Sequence, residues 1–186
     1  MRTKMPLCVF NIASVLVFLH VLHVCPVTAF SVDDCMPNQQ NNVVHVTEAQ
    51  ISPSRIVAPG SVLANVNLDI LQNITSDLEL SVIVRRKVWF VWITVIRSTH
   101  NLCGVLDTEF LEVDGTTTCP PQLSNARIPC RCPFARGRYS LPWSSFDVIK
   151  PARILYGRYW VKARLRDPNT GVWKACYIVN FDLSRN

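Results

Sequence analysis

Between residues 30 and 186, the side chains equipped for covalent, metal or acid–base chemistry are six cysteines, two histidines and scattered acids. His45 falls in an alternating, strand-like stretch and His100 in a polar loop beside Asn101. Asp107 and Glu109 lie two apart, and acids so spaced on an exposed strand face are solvated surface. No G-x-S-x-G elbow, H-E-x-x-H pair or phosphate-binding glycine loop occurs. The cysteines carry the sharper signal. Ile128-Pro129-Cys130-Arg131-Cys132-Pro133-Phe134 sets two of them on an extended segment bracketed by prolines. Side chains at i and i+2 point the same way, and the backbone between them is too stretched to close a ring. Each must therefore reach a different, distant cysteine. That describes a cross-linked knot at the mouth of a β-domain. Disulfide-bonded cysteines supply neither a nucleophile nor a zinc ligand, so we expect no enzyme, no metal site and no cofactor.

An oxidising compartment is implied by the start of the chain. Arg2 and Lys4 precede an apolar run, Leu7 to Val24, and Val27-Thr28-Ala29 has the small-residue pattern of a signal-peptidase site. Cleavage is expected after Ala29. This removes Cys8 and Cys25 and leaves Cys35, Cys103, Cys119, Cys130, Cys132 and Cys176. Six cysteines after a secretory signal imply three disulfides. Fifteen pairings are possible, and excluding Cys130 with Cys132 leaves twelve. Losing Arg2 and Lys4 lowers the formal charge from +6 to +4, mildly basic and unlike a nucleic-acid binder. Residues 30–186 suit one domain, long enough to bury roughly 70% of its unfolded surface. Asn73-Ile74-Thr75 is a glycosylation acceptor and predicts an exposed turn.

The elements that must position these groups read as β throughout. Val43 to Ile51 is one strand. Val62, Ala64, Val66, Leu68 and Ile70 alternate with Asn65, Asn67 and Asp69 after a Pro59-Gly60 turn. Leu78, Leu80, Val82 and Val84 line the next, which ends in Arg85-Arg86-Lys87, and Val88 to Ile96 follows, apolar on both sides. Tyr159, Val161, Ala163 and Leu165 alternate with Lys162, Arg164 and Arg166. Asp167-Pro168-Asn169-Thr170-Gly171 then turns the chain into Val172 to Leu183. No segment has helical periodicity over twelve residues. The prediction is one all-β domain, an immunoglobulin-like sandwich of two sheets with seven or eight strands.

Two apolar clusters stand out. Trp89, Phe90 and Trp92 follow the basic triplet Arg85-Arg86-Lys87 too closely for all to share one buried face. Ile154, Leu155 and Tyr156 sit in a loop flanked by Lys150, Arg153 and Arg158. Apolar tips ringed by cations dip into anionic membranes or cap a lipid cavity. Each cation near such a surface adds about 1 kcal/mol, and indoles settle at the interface. Trp89, Phe90, Trp92, Ile154, Leu155 and Tyr156 are the candidates for lipid and membrane contact, with Arg85, Arg86, Lys87 and Arg153 supplying the attraction. A sandwich of this kind can part its sheets around acyl chains, each buried methylene contributing about 0.8 kcal/mol.

The run from Ile128 to Pro142, with Ser145-Phe146, Cys103-Gly104-Val105-Leu106-Asp107 and Cys119-Pro120, resembles the ganglioside activators of the lipid-recognition family, which also includes the Niemann–Pick type C cholesterol carrier. The resemblance implies a sandwich opened into a cup that holds lipid tails. It implies extraction of ganglioside from membranes and presentation to a lysosomal β-hexosaminidase, with no hydrolytic activity of its own. It also implies disulfides Cys35–Cys176, Cys103–Cys132 and Cys119–Cys130. A further family disulfide is missing at Ile96-Arg97-Ser98-Thr99-His100, so a looser loop is expected there. The alternative is a secreted recognition protein of the same fold, without a hydrolase partner, acting outside cells.

Overall fold

The computed structural model describes residues 30–75, 78–109, 119–148 and 156–185. The expected signal segment, Arg153, Ile154 and Leu155 lie outside these. Among the described residues nine strands form two sheets: β1 (Phe30–Asp34), β2 (Val44–Ser52), β3 (Ile56–Ala58), β4 (Gly60–Ile70), β5 (Glu79–Val88), β6 (Val91–Asn101), β7 (Gly137–Val148), β8 (Gly157–Arg166) and β9 (Trp173–Arg185). The larger sheet runs β1-β9-β8-β5-β6, with β3 added parallel to β9; the smaller runs β2-β4-β7. All other pairings are antiparallel.

Register fixes the faces, because directly paired residues point the same way. Leu80, Val82 and Val84 of β5 pair with Leu165, Ala163 and Val161 of β8, which pair in turn with Ala175, Tyr177 and Val179 of β9. This is the inner face. Tyr177 proves it by reaching the other sheet, where its hydroxyl donates to Val44 O (2.8 Å) and accepts from Val46 N (3.0 Å). Burial pushes the Tyr177 phenol above its ordinary pKa. The β8–β9 turn forms as its residues dictate. Asp167 Oδ1 accepts from Asn169 N and Thr170 N, holding its carboxyl below the usual range, and Gly171 takes φ 70.

Several expectations need correction. The region Ile96–His100 is not a loosened loop. It continues β6 and pairs residue by residue with β5, so His100 and Asn101 are strand residues. Asp107 and Glu109 lie on a helix, α1 (Leu102–Glu109), and not on a strand. Asn101 caps it, its Oδ1 accepting from Gly104 N at 2.9 Å. A second short helix, α2 (Pro121–Asn125), starts with proline at its first turn.

Three disulfides join Cys35 to Cys176, Cys103 to Cys132 and Cys119 to Cys130, with Cα separations of 4.9, 5.5 and 5.7 Å. The first binds β1 to β9 within the large sheet. The other two tie α1 and the α2 segment to the chain around Cys130 and Cys132. This knot sits where β6 ends and β7 begins, opposite the β5–β6 turn. It therefore lies at the end of the sandwich away from that turn, its base.

The crossing from the large sheet to the small one is tight at Gly60, between β3 and β4. A Cβ there would lie 2.8 Å from Val57 O, backbone that cannot swing aside. Gly60→Ala is expected to cost about 1–3 kcal/mol by overpacking, read as a lower denaturation midpoint with an unchanged slope.

Candidate functional site

The hairpin between β5 and β6 is closed by the Val88–Val91 pair, leaving a two-residue turn of Trp89 and Phe90. Trp89 takes φ 56, a left-handed conformation rare for a bulky residue. The turn throws both rings into solvent, with Trp89 84% and Phe90 90% exposed.

The exposure continues down β6, the free edge of the large sheet. Ile93 pairs with Arg86, and Ile96 with Val84, on the face turned toward the small sheet. Val91, Ile93, Val95 and Ile96 are nonetheless exposed, Val91 by 65%. Trp92 pairs with Lys87 on the outer face and is less exposed, at 38%. An uncovered lip of apolar side chains thus runs back from the tip.

The basic triplet is divided by the pleat. Arg85 stacks over Trp160 on the outer face, 4.8 Å from the ring centroid. Arg86 turns inward, its Nε and Nη2 donating to Tyr156 O at 3.1 and 2.8 Å. The Tyr156 hydroxyl donates to Ala58 O at 3.2 Å, and its ring packs on Ala58, Tyr159 and Leu183. Arg86 and Tyr156 therefore anchor the start of β8 against the lip.

Lys87 faces an open groove of about 640 Å³ beside the tip, shared with Arg55, Trp89, Arg158, Asp182 and Arg185. Arg158 is engaged by Asp182 at 3.0 Å, and that hydrogen bond, reinforced by the carboxylate's charge, raises the Arg158 pKa. Arg55, Lys87 and Arg185 have no carboxylate partner among the described residues. The groove can hold an anion beside Trp89. Sequence reading missed Arg55 and Arg185, which reach the groove from the turn before β3 and the end of β9, remote in the chain.

Behind the lip the interior is thinly filled. Two small buried clusters close its ends: Val43, Ile70 and Ile74 at the base, Ala58, Tyr159 and Leu183 near the tip. Between them the inner-face residues Leu80, Val82, Val161 and Ala163 are only half-buried. No large side chain among the described residues is fully buried. The sheets approach chiefly where β1 meets β2 and where β3 meets β4 and β7.

The remaining candidates fall elsewhere. His45 is exposed on β2 and His100 on β6, in different sheets. No group of three or more His, Cys, Asp or Glu able to hold a metal occurs among the described residues. No described helix is long and apolar enough to cross a membrane. Asn73 is exposed between β4 and β5, and its Oδ1 accepts from Arg136 N at 2.7 Å.

Comparison with known proteins places this geometry. Residues 29–183 match the ML domain family model. The mouse ganglioside GM2 activator is 28% identical over 146 residues, covering 73% of each chain. The ganglioside GM2 activator of Macaca fascicularis is 28% identical over 170 residues, covering 82% of this chain and 87% of its own. Among solved structures, a Niemann–Pick type C2 protein from the Japanese carpenter ant aligns over 83% of this chain and 99% of its own, with TM-score 0.42 and 10% identity. With its family model matched from just before β1 to within β9, the chain belongs to the ML domain family.

Proposed function

We propose that the protein is a non-enzymatic lipid carrier of the secretory pathway. It draws a glycosphingolipid from a membrane, holds the tails between its sheets and offers the headgroup to a β-hexosaminidase, in lysosomes or outside the cell. One observation carries this reading: a sandwich whose central inner-face residues are only half-buried carries an exposed apolar edge and an exposed Trp89–Phe90 tip. The activator relatives in mouse and macaque support it.

Each part has a physical task. The tip enters the bilayer interface, where an indole and a phenyl ring are stable. Val91, Ile93 and Ile96 give the emerging tail an apolar path inward, and each methylene transferred recovers about 0.8 kcal/mol. Arg55, Lys87 and Arg185 hold an anionic headgroup at the rim, charge-assisted and outside the apolar interior. Arg86 keeps the rim in place through Tyr156. Catalysis would belong to the hydrolase. A glycan on Asn73, at the base, would leave the tip clear.

A fluorescent ganglioside in donor vesicles tests this. Added protein should move it to acceptor vesicles and stimulate β-hexosaminidase on it without detergent. Transfer without stimulation would favour the same carrier acting without a hydrolase partner. Absence of transfer would reject both.

A further inference from the structure

The outer face of the large sheet collects cations that the lipid reading leaves unused. Along β8, Lys162 and Arg164 point away from the small sheet, as register with Ile83 and Ser81 requires. Arg97 of β6 shares the level of Lys162, since both pair with Ile83. Arg85 lies beside them on Trp160, and Arg164 lies 4.3 Å over the Trp173 ring. Of the carboxylates on this face, Glu79 is paired with Arg166 at 2.6 Å and Asp182 with Arg158 at 3.0 Å, while Asp33, level with Lys162 two strands away, accepts from the Ser31 hydroxyl at 3.1 Å and keeps its charge. Arg85, Arg97, Lys162 and Arg164 form no ion pair among the described residues. The Nε of Arg164 is buried without an acceptor.

Membrane docking does not account for these charges. Lys162 and Arg164 lie five and seven residues up the strand from Gly157, roughly 17 and 23 Å from the level of the tip at ~3.3 Å per residue. Screening at physiological salt confines attraction to about 8 Å. A bilayer that takes up Trp89 and Phe90 is beyond their reach. Their natural partner is a chain of anions running along the strand.

We propose that this face binds a sulfated polysaccharide along β8. Guanidiniums held over indoles, as Arg85 and Arg164 are, lose less freedom on binding, and a guanidinium's N–H fork matches sulfate oxygens in a bidentate manner. The face is sheet surface without a deep cleft, which suits an extended polyanion better than a compact ligand. The proposal is independent of the lipid reading.

Calorimetric titration of the secreted protein with a heparin oligosaccharide at physiological salt tests it. Saturable binding is expected. It should weaken on the order of tenfold or more in the Arg97→Gln, Lys162→Gln, Arg164→Gln variant. Trp89→Ser with Phe90→Ser should leave it unchanged. Should the triple variant misfold, heparin protection of Lys162 from acetylation in the unaltered protein is the second readout. No saturable binding, equal affinity in a folded triple variant, an unprotected Lys162, or protection by anionic vesicles instead of heparin would each overturn the assignment.

Discussion

Replacing Cys35 and Cys176 together with serine is expected to lower the unfolding free energy by about 5 kcal/mol. Their bridge closes a span of 141 residues, and the entropy it removes from the unfolded chain grows with that span. It also fastens β1 where Cys35 N donates to Cys176 O at 2.9 Å. Against a typical total of 5–15 kcal/mol, such a loss brings the domain close to unfolding at body temperature. By the same reasoning, removing Cys119–Cys130, which spans 11 residues, should cost only about 3 kcal/mol. Urea midpoints of the two variants give the comparison. An equal loss for both, or less than about 1 kcal/mol for the first, would show that the long bridge is not the principal staple.

The second large effect belongs to the hairpin tip. Trp89→Ser with Phe90→Ser should weaken binding to anionic vesicles on the order of 100-fold or more, with the fold unchanged. Burying one large apolar side chain is worth about 1.5–3 kcal/mol, and both rings are almost wholly exposed. They support no core, so far-ultraviolet dichroism and the denaturation midpoint should match the parent protein. Vesicle cosedimentation reads the partition coefficient. Unchanged partition would place membrane contact elsewhere on the molecule.

Much of the frame was legible because period-two alternation is a local signal. Val62 to Ile70 and Tyr159 to Leu165 appear in the structure as strands β4 and β8, and Asp167 to Gly171 as their expected kind of turn. What stayed hidden depended on register. The run Val88 to Ile96 looked apolar on both sides, and only its position as an uncovered edge turns that pattern into a lip. Arg85, Arg86 and Lys87 read as one basic patch, but successive strand residues point to opposite faces. The pleat sends Arg86 to Tyr156 and Arg85 to Trp160.

Short helices escaped because their cues are single residues. Asn101 capping Gly104 and Pro121 opening α2 are cap signals without the length that amphipathic periodicity needs. The knot was read correctly as cross-linked at Cys130 and Cys132, each bonded to a different cysteine, but the segment expected to be extended bends at Cys130, Arg131 and Cys132 and belongs to no strand. Its place at the base follows from where β6 ends, a long-range fact that no local pattern carries.

The most direct measurement is native mass spectrometry of the protein as secreted. A hollow between half-buried sheets should yield a population heavier than the polypeptide and its glycan by the mass of one lipid, released as lipid on collisional activation. A single species at the polypeptide and glycan mass, unchanged after incubation with ganglioside, would contradict a sandwich built to hold hydrocarbon.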